Sequence, residues 1–91
     1  MIRSFLHKGL KELYETGESA KVRPDQHKRC LRRLDALHQA SVLSDLDVPG
    51  FRLHGLNTSP KRYAIDVNGP WRITFEWREG DAWRVDLEQY H

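Results

Sequence analysis

Apolar and polar residues alternate strictly along Trp71-Arg72-Ile73-Thr74-Phe75-Glu76-Trp77, the period-two signature of a strand with one buried and one open face. Trp71, Ile73, Phe75 and Trp77 fall on one face; Arg72, Thr74 and Glu76 fall on the other. Tyr63-Ala64-Ile65-Asp66-Val67 alternates in the same way upstream, across Asn68-Gly69-Pro70. Asn-Gly often forms a two-residue hairpin turn, but a two-residue loop would set Ile65 against Arg72. A loop of Asn68, Gly69 and Pro70 instead pairs Val67 with Trp71, Ile65 with Ile73 and Tyr63 with Phe75. A one-residue slip turns every side chain over, so face matching decides the register. The same test places Glu79-Gly80-Asp81 in a second loop, with Phe75 opposite Val85, Ile73 opposite Leu87 and Trp77 opposite Trp83. On the open face, Arg72 then stands between Asp66 and Glu88, and Glu76 between Arg62 and Arg84.

The rest of the chain supplies helices. Ile2, Ser4 and Leu6 alternate with Arg3 and Phe5, which predicts a short strand over residues 1–6. Leu10, Leu13 and Tyr14 then recur at helical spacing, and Gly17 follows as a stop. Residues 18–23 read as a loop. Pro24 and Asp25 suit the first turn of a helix, and the spacing predicts the main amphipathic helix over residues 24–39. Its apolar stripe is Cys30, Leu31, Leu34, Leu37 and His38. Lys28, Arg29, Arg32 and Arg33 fall outside that stripe and read as a solvated face, with RNA phosphates or an acidic partner as the alternative. Ser41 to Asp47 adds a further turn, Pro49-Gly50 ends it, and alternation resumes over Phe51 to His54, before a loop at 57–61. The pattern therefore predicts an α+β fold in one domain spanning residues 1–91, an antiparallel sheet with two to three helices packed on one face and the opposite face open.

Composition adds limits. Of the 91 residues, 38% are hydrophobic and 31% charged, with three Trp, a balance of globular rather than disordered chains. A net charge of +2 does not imply nucleic-acid binding by itself, but its distribution is uneven. Residues 1–45 carry nine Lys/Arg against six Asp/Glu, and residues 46–91 six against seven. A single cysteine, Cys30, excludes an intrachain disulfide and fits a reducing compartment. Its place on the apolar stripe makes it a small buried hydrophobe rather than a nucleophile. The first residues have no apolar signal region and no stretch suits a membrane span, so the chain reads as cytoplasmic. Among the five histidines, His27 and His38 could share a helix face, but eleven helical positions separate them by about 16 Å. With no Cys pair and no His-Glu-x-x-His segment, metal binding is not expected. No glycine-rich phosphate loop is present, so no nucleotide cofactor is expected.

Two clusters carry chemistry. Arg72 between two acids is a cross-strand charge pair worth roughly 0.2–1 kcal/mol, or a guanidinium whose planar fork is held ready for a phosphate. Sequence alone leaves the two readings even. The tail tips the balance: Tyr90 and His91 follow directly from the last strand, and His54 ends its own short extended segment. An arginine, two histidines and a tyrosine suit RNA backbone cleavage. A base takes the 2′-hydroxyl proton, a cation stabilises the crowded phosphate, and an acid protonates the leaving 5′-oxygen. Histidine fits such work because its ordinary pKa is about 6.5.

At these residues the sequence resembles the HigB branch of the RelE/ParE toxin superfamily, the toxins of type II toxin–antitoxin modules. The resemblance lies in Met1-Ile2-Arg3-Ser4-Phe5 with His7-Lys8-Gly9-Leu10, in Leu53-His54-Gly55-Leu56, in Trp71-Arg72-Ile73-Thr74-Phe75 and in terminal Tyr90-His91. It implies a ribosome-dependent endonuclease that enters the A site and cuts mRNA. It also implies a helix-turn-helix antitoxin of the HigA kind, through which the pair would reach operator DNA. By similarity, His54, Arg72, Tyr90 and His91 form the catalytic set: His54 or His91 transfers protons, Arg72 stabilises the phosphate and Tyr90 positions the nucleotide. Lys61, Arg62 and Gln89 are the expected substrate contacts. Gln89 stands where the family often has an acid, and Asn57-Thr58 where it tends to have Lys-Gly.

Two other functions remain open on the same scaffold. One is a ParE-like inhibitor that binds DNA gyrase, against which the proton-transfer groups argue. The other is a weakened toxin that retains mainly antitoxin binding.

Overall fold

The strand pattern around Trp71 resolves into a four-stranded antiparallel meander. The computed structural model describes residues 1–89. Helix α1 spans Lys8–Thr16 and α2 spans His27–Gln39, the latter preceded by a 3₁₀ turn at Pro24–Gln26. A second 3₁₀ turn, Leu43–Leu46, leads toward strands β1 (His54–Gly55), β2 (Tyr63–Asn68), β3 (Trp71–Arg78) and β4 (Asp81–Gln89), which lie side by side in that order. This is the expected α+β architecture.

Each helix begins and ends for local reasons. His7 caps α1, its Nδ1 accepting from the Leu10 N–H at 2.9 Å, and Gly17 closes it in the left-handed conformation at φ 90°. Leu10, Leu13, Cys30, Leu34 and Leu37 are fully buried and meet Ile65, Ile73, Phe75, Val85 and Leu87 of the sheet. Fully burying each large apolar side chain is worth roughly 1.5–3 kcal/mol, so this helix–sheet interface dominates the folding energy.

The register confirms Tyr63 opposite Phe75, Ile65 opposite Ile73, Asp66 opposite Arg72, Ile73 opposite Leu87 and Arg72 opposite Glu88. The turns differ from expectation. Asn68, not Val67, pairs with Trp71, so the loop is Gly69-Pro70 and the register shifts between Asp66 and Asn68. In the second hairpin, Asp81 pairs with Arg78 and the register shifts between Thr74 and Glu76. Both hairpins thus use a two-residue turn plus a bulge, where face matching alone lengthens the loop. A bulge restores the alternation beyond it, which is why the register away from the turns was readable.

The second bulge has a consequence. Arg84 takes φ 50°, Glu76 pairs with Trp83, and Trp77 pairs with Ala82. Ala82 is therefore the buried residue, and Trp83 turns to the other face, where the Arg78 guanidinium lies 4.5 Å from its ring centre. Trp83 is not a core residue.

The N-terminal segment is less than a full strand. It meets β4 through two isolated parallel bridges, Ile2 with Ala82 and Phe5 with Val85. Arg3 and Leu6 donate N–H bonds to Ala82 and Val85, while Ala82 and Val85 donate to Met1 and Ser4.

Candidate active site

The face of the sheet opposite the helices divides into two parts. Toward the β3–β4 turn, Glu76 is 5% exposed and collects three guanidinium groups: Arg84 at 3.1 Å, Arg62 at 3.3 Å and Arg78 at 3.7 Å. Arg62 also donates to Thr74 Oγ1 at 3.1 Å and to the Arg84 carbonyl at 2.9 Å. Thr74 Oγ1 in turn donates to the Glu88 carboxylate. Alternation marked Thr74 and Glu76 as solvent-facing, yet both are buried, with the largely buried Arg62 side chain bonded to each of them and Arg78 and Arg84 beside Glu76. The expected contacts of Glu76 with Arg62 and Arg84 do form.

The other part is a cleft of about 540 Å³ lined by Arg52, Leu53, His54, Asp66, Gly69, Pro70, Trp71 and Arg72. Arg72 comes from the start of β3, an inner strand, between Asp66 on β2 and Glu88 on β4. His54 comes from β1, whose register sets it beside Ala64. Between them lies the irregular start of β1. Arg52 occupies the left-handed region at φ 52°, and its Nε lies 3.5 Å from Asp66 Oδ2. The Asp66 N–H donates to the Phe51 carbonyl at 2.6 Å, tying this segment to β2.

The histidine tautomer follows from this geometry. His54 Nδ1 lies 2.7 Å from the Arg52 carbonyl. A carbonyl only accepts, so in the neutral ring Nδ1 carries the hydrogen and Nε2 keeps its lone pair. The ring is exposed and lines the cleft. A proton acceptor and a cation therefore share one concavity, the pairing that phosphodiester transfer requires.

The remaining expected residues are dispersed. Gln89 ends β4 opposite Trp71, a wall of the cleft. Arg62 belongs to the Glu76 network. Lys61 lies across Gly55, with its Nζ 5.9 Å from the Tyr63 ring centre and outside the cleft lining. Tyr90 and His91 lie outside the described residues. Among the described residues, no group of three His, Cys, Asp or Glu is arranged to hold a metal ion. No described helix is long and apolar enough to cross a membrane.

Sequence reasoning missed Arg52 and Arg33. Nothing in the local pattern marks Arg52. Arg33 carried a signal: with Cys30, Leu34 and Leu37 it completes the i, i+3, i+4, i+7 face of α2. It is 8% exposed and not solvated.

Known proteins share this chain over its full length. A family described as the RelE-like toxin HigB of type II toxin–antitoxin systems matches residues 3–91. The endoribonuclease HigB of Proteus vulgaris is 39% identical over 92 residues, covering 100% of both chains. Toxin HigB-1 of Vibrio cholerae is 31% identical over 93 residues, covering 99% of this chain and 98% of that one. The chain therefore belongs to the HigB-like family of RelE-like toxins of type II toxin–antitoxin systems.

Proposed function

We propose that this chain is an endoribonuclease that cuts mRNA on the ribosome and so blocks translation, kept in check by a partner antitoxin. The observation that carries the reading is the cleft in which His54, fixed as the Nδ1–H tautomer, and Arg72 face one concavity. His54 Nε2 takes the 2′-hydroxyl proton, and the freed oxygen attacks the adjacent phosphorus. Arg72 stabilises the charge that builds on the phosphate oxygens. The bond to the 5′-oxygen breaks, an acid protonates that oxygen, and the upstream fragment ends in a 2′,3′-cyclic phosphate. His91 is proposed as that acid and Tyr90 as the residue that positions the nucleotide. Arg62, Lys61 and Gln89 are proposed to contact the RNA flanking the cut. No metal or cofactor enters this scheme.

Membership of a type II toxin family supports an antitoxin partner. A HigA-like helix-turn-helix antitoxin, operator binding through it, and action in the cytoplasm at the ribosomal A site complete the proposal. The name of the Proteus vulgaris relative supports the endoribonuclease reading.

Induction of the wild-type chain and of Arg72→Ala in cells without antitoxin, with mRNA 5′ ends mapped, tests this. New ends inside translated frames that vanish in the variant are expected. Growth arrest without new ends overturns the nuclease reading in favour of a binding inhibitor of the gyrase-directed kind.

A further inference from the structure

Arg33 projects from the helix side of the sheet, yet it touches both chain segments that form the cleft on the other side. Its guanidinium lies 4.6 Å from the centre of the Phe51 ring, and its Nε donates to the Asp66 carbonyl. Its remaining bond, from Nη1 to the Arg29 carbonyl at 3.2 Å, fastens the side chain to its own helix. The neighbouring Arg29 reaches the Val67 carbonyl at 3.4 Å, in the bulge of β2. In a regular ladder the strand before β2 would supply an N–H to the Asp66 carbonyl, which lies on the same edge as the Asp66 N–H that bonds Phe51. Here Arg52, in the left-handed conformation, interrupts the extended run just before β1, and Arg33 of α2 donates to the Asp66 carbonyl instead.

The two residues that Arg33 holds are each one bond from the site. Asp66 faces Arg72 and binds Arg52 through its carboxylate. Phe51 immediately precedes Arg52, whose carbonyl accepts from His54. Burial and the charges of Arg29 and Arg32 push the Arg33 guanidinium pKa down. A cation kept at such a position needs a structural reason, because an uncompensated buried charge is costly.

We infer that Arg33 is a positioning residue: clamped between the Phe51 ring and the Asp66 carbonyl, it fixes segment 51–54 against β2 and thereby holds His54 in its Nδ1–H tautomer beside Arg72. The effect on cleavage rests on the endoribonuclease reading. The effect on the tautomer rests on geometry alone.

The test is ¹⁵N NMR of the His54 ring at a pH where it is neutral. It compares the wild type, Arg33→Met, Arg33→Lys and a control, Leu31→Ala, which weakens α2 packing away from the cleft. Single-turnover and steady-state cleavage of mRNA on ribosomes accompany it. The wild type should show protonated Nδ1. Arg33→Met should show mixed tautomers and a kcat lower by about tenfold to a hundredfold, with KM nearly unchanged. Arg33→Lys keeps the charge without the planar fork and should shift part of the way. Leu31→Ala, below its melting temperature, should keep the wild-type ring signals. An unshifted Arg33→Met spectrum, or the same shift in Leu31→Ala, overturns the proposal. If Arg33→Met does not fold, an unshifted Arg33→Lys spectrum overturns it. If the tautomer shifts in Arg33→Met while no protein, the wild type included, cuts RNA, the positioning role stands and the nuclease reading falls.

Discussion

The two ends of the open face are built from the same residue types and do opposite things with them. Around Glu76, one nearly buried carboxylate is enclosed by Arg62, Arg78 and Arg84, and the Arg62 guanidinium is consumed by internal acceptors. Around Asp66, the carboxylate is a third exposed, Arg52 is largely in solvent, and a cleft separates the walls. Charge that is closed on itself makes a scaffold. Charge left at the rim of a cavity, next to an imidazole with an open nitrogen, makes a site. The difference lies in solvent access and in hydrogen-bond closure, not in composition.

The largest break in that comparison should come from Glu76→Ala. Removing the shared acid leaves Arg62, with 15% side-chain exposure, facing two other cations. Loss of one partner of a buried pair should cost about 3 kcal/mol, read as a lower urea midpoint. Arg72→Ala should do the reverse. It should lower the cleavage rate by about a hundredfold or more while the urea midpoint moves far less than in Glu76→Ala.

A smaller effect should appear on the helix side. Burial pushes the Cys30 thiol from its ordinary 9.0 to about 11. Between those values the unfolded chain releases a proton that the folded chain keeps, so stability should fall as pH rises from 9 toward 11. Cys30→Ala should flatten that slope in denaturant melts, and the wild-type thiol should resist labelling at pH 8 until the chain unfolds. The smallest effect is expected at Asp81, whose carboxyl is held low by the Met1 ammonium and Arg3. Its depressed pKa means that its contribution is present above the unfolded carboxylate range and fades as pH falls. Asp81→Asn should remove that dependence and speed amide exchange at Arg3 and Ala82, with little change in global stability.

Alternation and helical spacing carried most of the fold: both helices, the Gly17 stop, and the placement of Arg72 between Asp66 and Glu88 follow from period alone. What they could not carry is where a bulge sits. Face matching sees only that an odd residue must be absorbed, and a bulge at Arg84 absorbs it as well as a longer loop would. Trp83 was misassigned for that reason. Of the candidate site, alternation gave the place of Arg72 on the open face beside the segment that carries His54, and the two do line one cleft; the chemical roles proposed for them came from the resemblance. The supporting residues were not legible. Arg52 stands out through a left-handed backbone, and Arg33 through its bond to the Asp66 carbonyl across the helix–sheet interface. Both are tertiary facts, although the place of Arg33 on the Cys30–Leu37 face was open to notice.

The N-terminal segment covers the first half of β4, through Ala82 and Val85, at one border of the sheet. The opposite border belongs to β1, which is only two residues long before the chain turns away. A sheet bounded in this way offers a second copy no long row of open peptide groups to dock against. Short borders of this kind disfavour edge-to-edge association of two copies. Deleting residues 1–6 should expose β4 and turn a dispersed product into one that precipitates.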